Sequence, residues 1–263
     1  MITIQVLAAD GSVRVQTAAE NASLFVPFAY DEGDVIRIAS DCAKELVVQV
    51  DPAIAPAQVL APTGEITYAI PSAERRTALP PQAFTGEKHV VTARPATAQE
   101  KAVYRNLALN PADQRGDTTY FPHATANVET RDESVFAARN VIDGYHVNES
   151  HGAWPYQSWG IGARTDAYLV VNFGRKVRVD KAVLFLRADF PHDAYWTQAT
   201  LILSDGTEKT FPLERKGEPQ EIALGEHVIE WIRLDKLIKS DDPSAFPALS
   251  EIEVYGTPAD AEA

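Results

Sequence analysis

The strongest constraint on this chain is the shortness and phase of its apolar runs. MITIQVLA, SVRVQT, DVIRIAS, ELVVQVD and EITYAIP are six to eight residues long, rich in Val, Ile, Thr and Tyr, and bounded by Gly, Pro, Asp or Ser. In a strand, successive side chains point to opposite faces, so a run of this kind offers one apolar face and needs a second sheet to cover it. Helices of ordinary length need longer patterns with a 3.6-residue period. AADGS, after the first run, suits a hairpin turn with Gly11 at positive φ. HVVTAR at 89–94 adds one more strand. Residues 1–95 therefore read as a β-sandwich, with Phe25, Phe28 and Tyr30 of FVPFAYDEGD directed into its core or towards a neighbouring unit.

A short break follows. In PATAQEKAVYRN, Thr97 followed by Glu100 matches a capping box, in which each residue satisfies the other's free backbone N–H. This predicts a short helical connector over 96–105. The strand pattern then resumes in AYLVVNFG, KAVLFLRA, QATLILSDG, EKTFPL, VIEWIRLD and SEIEVYG, with a hairpin turn at Asp205-Gly206. The expected fold class is all-β: two β-sandwiches in tandem, the second over 106–257, with 258–263 as a tail.

Composition narrows the partners. With 37 acidic and 24 basic residues the formal charge is -13, which repels phosphate backbones and argues against nucleic acid. No stretch approaches the roughly 18 apolar residues of a spanning helix, so membrane insertion is not expected. Cys42 is the only cysteine, which excludes a disulfide framework and cysteine-rich zinc sites. MITIQVLAADG lacks a basic start followed by an apolar run, so no signal peptide is expected. The expected location is cytoplasmic, or extracellular for a mature fragment.

Three long segments depart from the strand pattern and concentrate costly side chains. RADFPHDAYW at 187–196 carries Arg187, Asp189, Phe190, His192, Asp193, Tyr195 and Trp196. HVNESHGAWPYQSWGI at 146–161 carries His146, His151, Trp154, Tyr156 and Trp159, and YFPHATANVET adds Tyr120 and His123. Ring faces stack on the C–H side of a sugar, and charged or amide groups bond its hydroxyls. These segments supply both. Arg187 and Asp189 are assigned to hydroxyls, His192 and Asp193 to orientation, and Trp196 to stacking or support. Phe190 and Trp196 serve equally well as caps on the core, and Trp159 reads as a core lid.

The second half also resembles the discoidin-like (coagulation factor 5/8 type C) domain, whose relatives include the family 32 carbohydrate-binding modules. The matching pieces are NLALNP, AARNVIDG, AYLVVNFGRKVRVDKAVLFLR, LILSDG and LSEIEVYG, in the family's order. The resemblance implies a galactose-binding-like jelly roll whose loops at one end bind sugars, lipids or proteins without chemistry. It implies that the segments near 120, 150 and 190 share that end. It further implies a structural Ca²⁺ between the Asp-Gly loop and the closing strand, where Asp143 and Glu251 stand. Two departures are the long link YHVNESHGAWPYQS and the rich 187–196 loop.

The combined expectation is a non-catalytic protein that binds a neutral glycan through Tyr120, His123, Trp154, Tyr156, Arg187, Asp189, His192, Asp193 and Trp196. Two other readings stay open. One is a glycan-processing enzyme with Asp189, His192 and Asp193 as acid and base. The other is an interaction module that docks a second copy or an enzyme.

Overall fold

In the first half, alternation becomes burial. β1 (Ile2–Leu7) sends Ile2, Ile4 and Val6 inward, and β4 (Val35–Ser40) does the same with Ile36 and Ile38. With β2 (Val13–Ala19) and β7 (Glu65–Ala69) they form an antiparallel sheet in the order β2-β1-β4-β7. A second sheet, β3-β8-β5-β6, comprises β3 (Ala22–Val26), β5 (Glu45–Gln49), β6 (Ala57–Leu60) and β8 (His89–Pro95). Leu24, Val26, Leu46, Val48, Val59 and Val91 meet the first sheet in one core. Each such side chain contributes about 1.5–3 kcal/mol on burial. The structure, a computed structural model, describes residues 1–148, 152–188 and 194–259. Phe25 corrects the sequence reading: it is 55% exposed, because Leu24 and Val26 take the inward phase of β3. Phe28 and Tyr30 do pack against the core.

The connector forms as its capping box requires. In α1 (Ala98–Ala102), Glu100 N donates to Thr97 Oγ1 at 3.2 Å and Thr97 N donates to Glu100 Oε2 at 2.8 Å. Arg94 forks the same carboxylate at 2.6 and 2.8 Å, tying the helix to the end of β8.

The second half is one eight-stranded sheet, folded over at breaks in its two longest strands. Its elements are β9 (Arg105–Asn106), β10 (His123–Ala126), β11 (Trp159–Gly160), β12 (Leu169–Arg187), β13 (Trp196–Leu203), β14 (Glu208–Pro212), β15 (Gln220–Lys239) and β16 (Ala248–Pro258). They run in the order β11-β16-β12-β15-β13-β14, with β9 on β16 and β10 on β12. β12 pairs with β10 through residues 169–172 and with β16 through 177–187. Its register against β15 breaks between Asn172 and Val177 and again between Val179 and Lys181. Bulges let a strand leave one layer of the folded sheet and enter the other. Gly174 occupies the first break at positive φ, where a Cβ would run into the Phe121 ring. Leu169, Val171, Val179, Leu184, Leu201, Ile232 and Ile252 fill the resulting core.

The two sandwiches share a seam. Leu60 and Phe121 exchange backbone hydrogen bonds at 2.8 Å. Ala112 and Tyr120, from the second half of the chain, pack into the first core. Arg175, at the β12 break, donates to both oxygens of Glu45 at 2.8 and 3.0 Å. Burial alone would raise the Glu45 carboxyl, but the Arg175 guanidinium and the Gln58 amide outweigh it and hold it below its ordinary value. A carboxyl depressed by folding stabilises the protein above its unfolded value of 4.5, and that contribution is lost as pH falls through the folded value. Glu45→Gln is expected to cost about 1–3 kcal/mol at pH 7. Thermal melts of the two proteins should differ at pH 7 and converge towards pH 3. A constant difference would contradict the ionic role.

Candidate functional site

β12 delivers Phe185, Leu186 and Arg187 to one end of the second sandwich, and the loop after Gly144 lies against that end. The clamp is Asn148. Its Nδ2 donates to Leu186 O at 3.1 Å, and its Oδ1 accepts from Ala188 N at 3.1 Å. The amide thus continues the strand's hydrogen bonding where the sheet stops. His146 is exposed and stacks on Phe185, with centroids 4.4 Å apart. Tyr145 and Trp154 meet edge to face at 5.6 Å. Trp154 and Tyr156 are half-buried, so each keeps part of its ring open to solvent. Arg187 is buried; its Nη1 donates to Ser158 Oγ at 3.3 Å and its guanidinium lies 5.8 Å from the Phe136 ring centre. It is thereby fixed between the end of β12 and Ser158.

Asp143 and Glu251 also meet here, both buried. Asp143 Oδ2 accepts from Gln157 Nε2 at 2.6 Å, and Oδ1 accepts from Tyr145 N at 3.0 Å. Gly144 N lies 3.2 and 3.3 Å from the two oxygens of Glu251. Burial pushes the Asp143 carboxyl up to about 6 despite Arg139, whose guanidinium stands 3.8 Å away. Burial and the Asp143 charge raise Glu251 well above the usual carboxylate range. Gln157 Oε1 is buried without a hydrogen-bond partner. Two buried acids, with one arginine beside them and a buried unsatisfied amide oxygen on Gln157, are short of positive charge. Among the described residues, no three of His, Cys, Asp and Glu gather as a ligand group. Further donors would therefore be amide or backbone oxygens, which suit a hard cation.

The remaining sequence candidates divide sharply. Tyr120 is 1% exposed, sits in the first core and donates its hydroxyl to Ala112 O at 2.5 Å. Trp196 is 1% exposed and packs 6.2 Å from Trp159 in the second core. Neither ring offers a face to a ligand, because each fills volume that the sheets would otherwise leave empty. His123 is buried, with Nδ1 2.7 Å from Asp113 Oδ1. Burial alone would lower its pKa, but the Asp113 carboxylate raises it above the ordinary value. His123 pairs with Asn172 beside the Gly174 corner, and Phe121 bonds Leu60. The 120 segment therefore belongs to the seam, and not to the end that carries Arg187. Trp154 packs on Tyr145, and Arg187 is held by Ser158 of the same loop. Asp189, His192 and Asp193, with Phe190 and His151, lie outside the described residues. Asn148, Tyr145, Phe185 and Gln157 were missed by sequence reasoning, since nothing in their spacing marks contacts made across 38 or more residues or within one loop.

No family model and no curated protein matches the sequence. Solved structures do resemble the chain. A chitosan-binding module from a chitosanase/glucanase of Paenibacillus sp. IK-5 is 21% identical, with a TM-score of 0.42, over 57% of this chain and 98% of its own. The family 32 module of C. perfringens NanJ, in complex with galactose, is 19% identical at a TM-score of 0.39, over 50% of this chain and 91% of its own. A Streptococcus pneumoniae fucose binding module is 14% identical at 0.41, over 61% and 99%.

The Asn148 clamp makes a direct prediction. Asn148→Ala removes both bonds to the end of β12 and should cost about 1–2 kcal/mol locally. Amide hydrogen exchange at Ala188 should quicken by roughly an order of magnitude. Unchanged protection would show that the loop is held by other contacts.

Proposed function

We propose that the chain is a non-catalytic carbohydrate-binding protein that recognises a neutral glycan at the Arg187 end of its second sandwich. What carries the reading is the loop after Gly144, which stacks His146 on Phe185, sets Tyr145 against a half-buried Trp154, and is clamped by Asn148 to the end of β12. A loop with partly open rings, anchored at a strand end, supplies stacking faces at little further ordering cost. The charge of -13 disfavours sulfated or phosphorylated partners and leaves neutral hydroxyl-rich ones. The sequence resemblance points to the same end of the same sandwich. On this reading, Arg187 and Asp189 bond hydroxyls and His192 and Asp193 set the sugar's orientation; Asp189, His192 and Asp193 lie outside the described residues.

The reading assigns a structural Ca²⁺ to Asp143 and Glu251, with Gln157 Oε1 and backbone carbonyls completing its oxygen ligands. The ion would neutralise two buried carboxylates and lock the Asp-Gly loop onto β16.

Two measurements test these roles. A panel of neutral mono- and oligosaccharides should raise the melting temperature with one sugar class, by mass action on the folded state. Trp154→Ala should weaken that sugar about tenfold, or 1.4 kcal/mol, while the sugar-free protein stays folded. No response to any sugar would sink the proposal. Separately, Ca²⁺ at a hundred times its dissociation constant should stabilise by about 2.7 kcal/mol. A chelator should reverse this, and Glu251→Gln should be indifferent to both. A melting temperature untouched by chelation would remove the ion from the account.

A further inference from the structure

A cavity of about 330 Å³ lies on the seam between the sandwiches, next to the aromatic loop, whose Trp154 N donates to Thr77 O at 2.9 Å. Ile70, Pro71 and Leu79 of the first half form one wall; Ala137, Arg115 and Arg139 of the second form another. This volume suits a small organic molecule. Most polar groups around it are already engaged. Gln114 donates to Ala69 O at 2.7 Å and accepts from Ala69 N at 2.9 Å. Ser134 Oγ meets Thr77 Oγ1 at 3.1 Å, and Asp113 holds His123 at 2.7 Å. Arg115 pairs with Glu129 at 2.5 Å and with Asp132.

Arg139 differs. Its side chain is only 9% exposed. Nη1 and Nη2 donate to neutral acceptors, Asn140 Oδ1 at 3.3 Å and Pro111 O at 3.1 Å, and Nε has no hydrogen-bond partner. The carboxylate beside it, Asp143, stands 3.8 Å away and belongs to the acidic pair with Glu251. A buried guanidinium with an unmade hydrogen bond is costly. Its Nε and Nη groups form the fork that binds a carboxylate through two parallel hydrogen bonds.

We propose that this cavity binds a small organic monocarboxylate, with its carboxylate on Arg139 and a compact apolar body against Ile70, Pro71 and Leu79. Because the wall hydroxyls and amides are engaged with one another, the walls favour an apolar body over a polyhydroxylated one. Exposed Arg75 and Glu74 also line the cavity, Arg75 near Asp132, so the specific cation for a carboxylate is Arg139 and Arg75 supplies only a local positive charge.

Isothermal titration of the full chain with benzoate tests the site, with benzamide as its uncharged twin. Benzoate should bind one per chain, and benzamide at least tenfold more weakly. Arg139→Met should abolish binding. Since that variant removes bonds that support the fold, Arg75→Glu is the companion; its residue is exposed, and it should weaken benzoate at least threefold with an unchanged melting temperature. No benzoate binding, equal binding of benzamide, phosphate binding as tight as benzoate, or an unaltered affinity in Arg75→Glu would each overturn the proposal. A neutral sugar that raises the melting temperature should not compete with benzoate; competition would overturn the separation of the two sites.

Discussion

The corner in β12 at Gly174 is the constraint on which the rest depends. Five residue steps from Asn172 to Val177 face only two on β15, from Trp231 to Ile229. The surplus turns the strand from its pairing with β10 to its pairing with β16, from one layer of the folded sheet to the other. Because β12 and β15 both continue past the break, the two layers of the second sandwich are covalently one structure. The same corner sets Arg175 against Glu45 and leaves room for Phe121, which bonds Leu60. One irregularity therefore closes the second core and docks it on the first.

At its far end β12 arrives as a strand whose outer hydrogen bonds need partners. Asn148 supplies them, and in doing so fixes a loop of half-open rings beside a buried arginine. The opposite edge of that loop starts at Asp143, where two buried acids face each other. Burial opposes their ionisation, so a cation at this point would convert a liability into an anchor between the loop and β16. The aromatic loop is thus held at one edge by the Asn148 amide clamp and at the other by the bond from Gly144 N to the Glu251 carboxyl. Preorganisation of this kind makes weak stacking contacts useful, since little ordering remains to be done when a ligand arrives.

Much of the architecture was legible because period-2 patterns and turn residues are local. The capping box at Thr97 and Glu100 and the Gly11 turn were readable for the same reason. What escaped was depth and phase. In Leu24-Phe25-Val26 every residue is apolar, so composition cannot say which faces out, and Phe25 does. AYLVVNFG and KAVLFLRA read as separate strands because a bulge looks like a turn from sequence. Tyr120 looked like a binding ring, and Trp196 as much a binding ring as a core cap, because the sequence shows their size and their loops, but not the empty core volume each fills. Arg187, Trp154 and Tyr156 were singled out by residue type alone. Asn148 could not be, since its partners are backbone groups some 40 residues on.

The most direct test of carbohydrate recognition is the map of backbone amide chemical shifts on titration with neutral oligosaccharides. The account predicts saturable shifts at residues 144–158 and 185–188, with the seam around Phe121 silent. Shifts confined to the first sandwich, or none with any sugar, would contradict it.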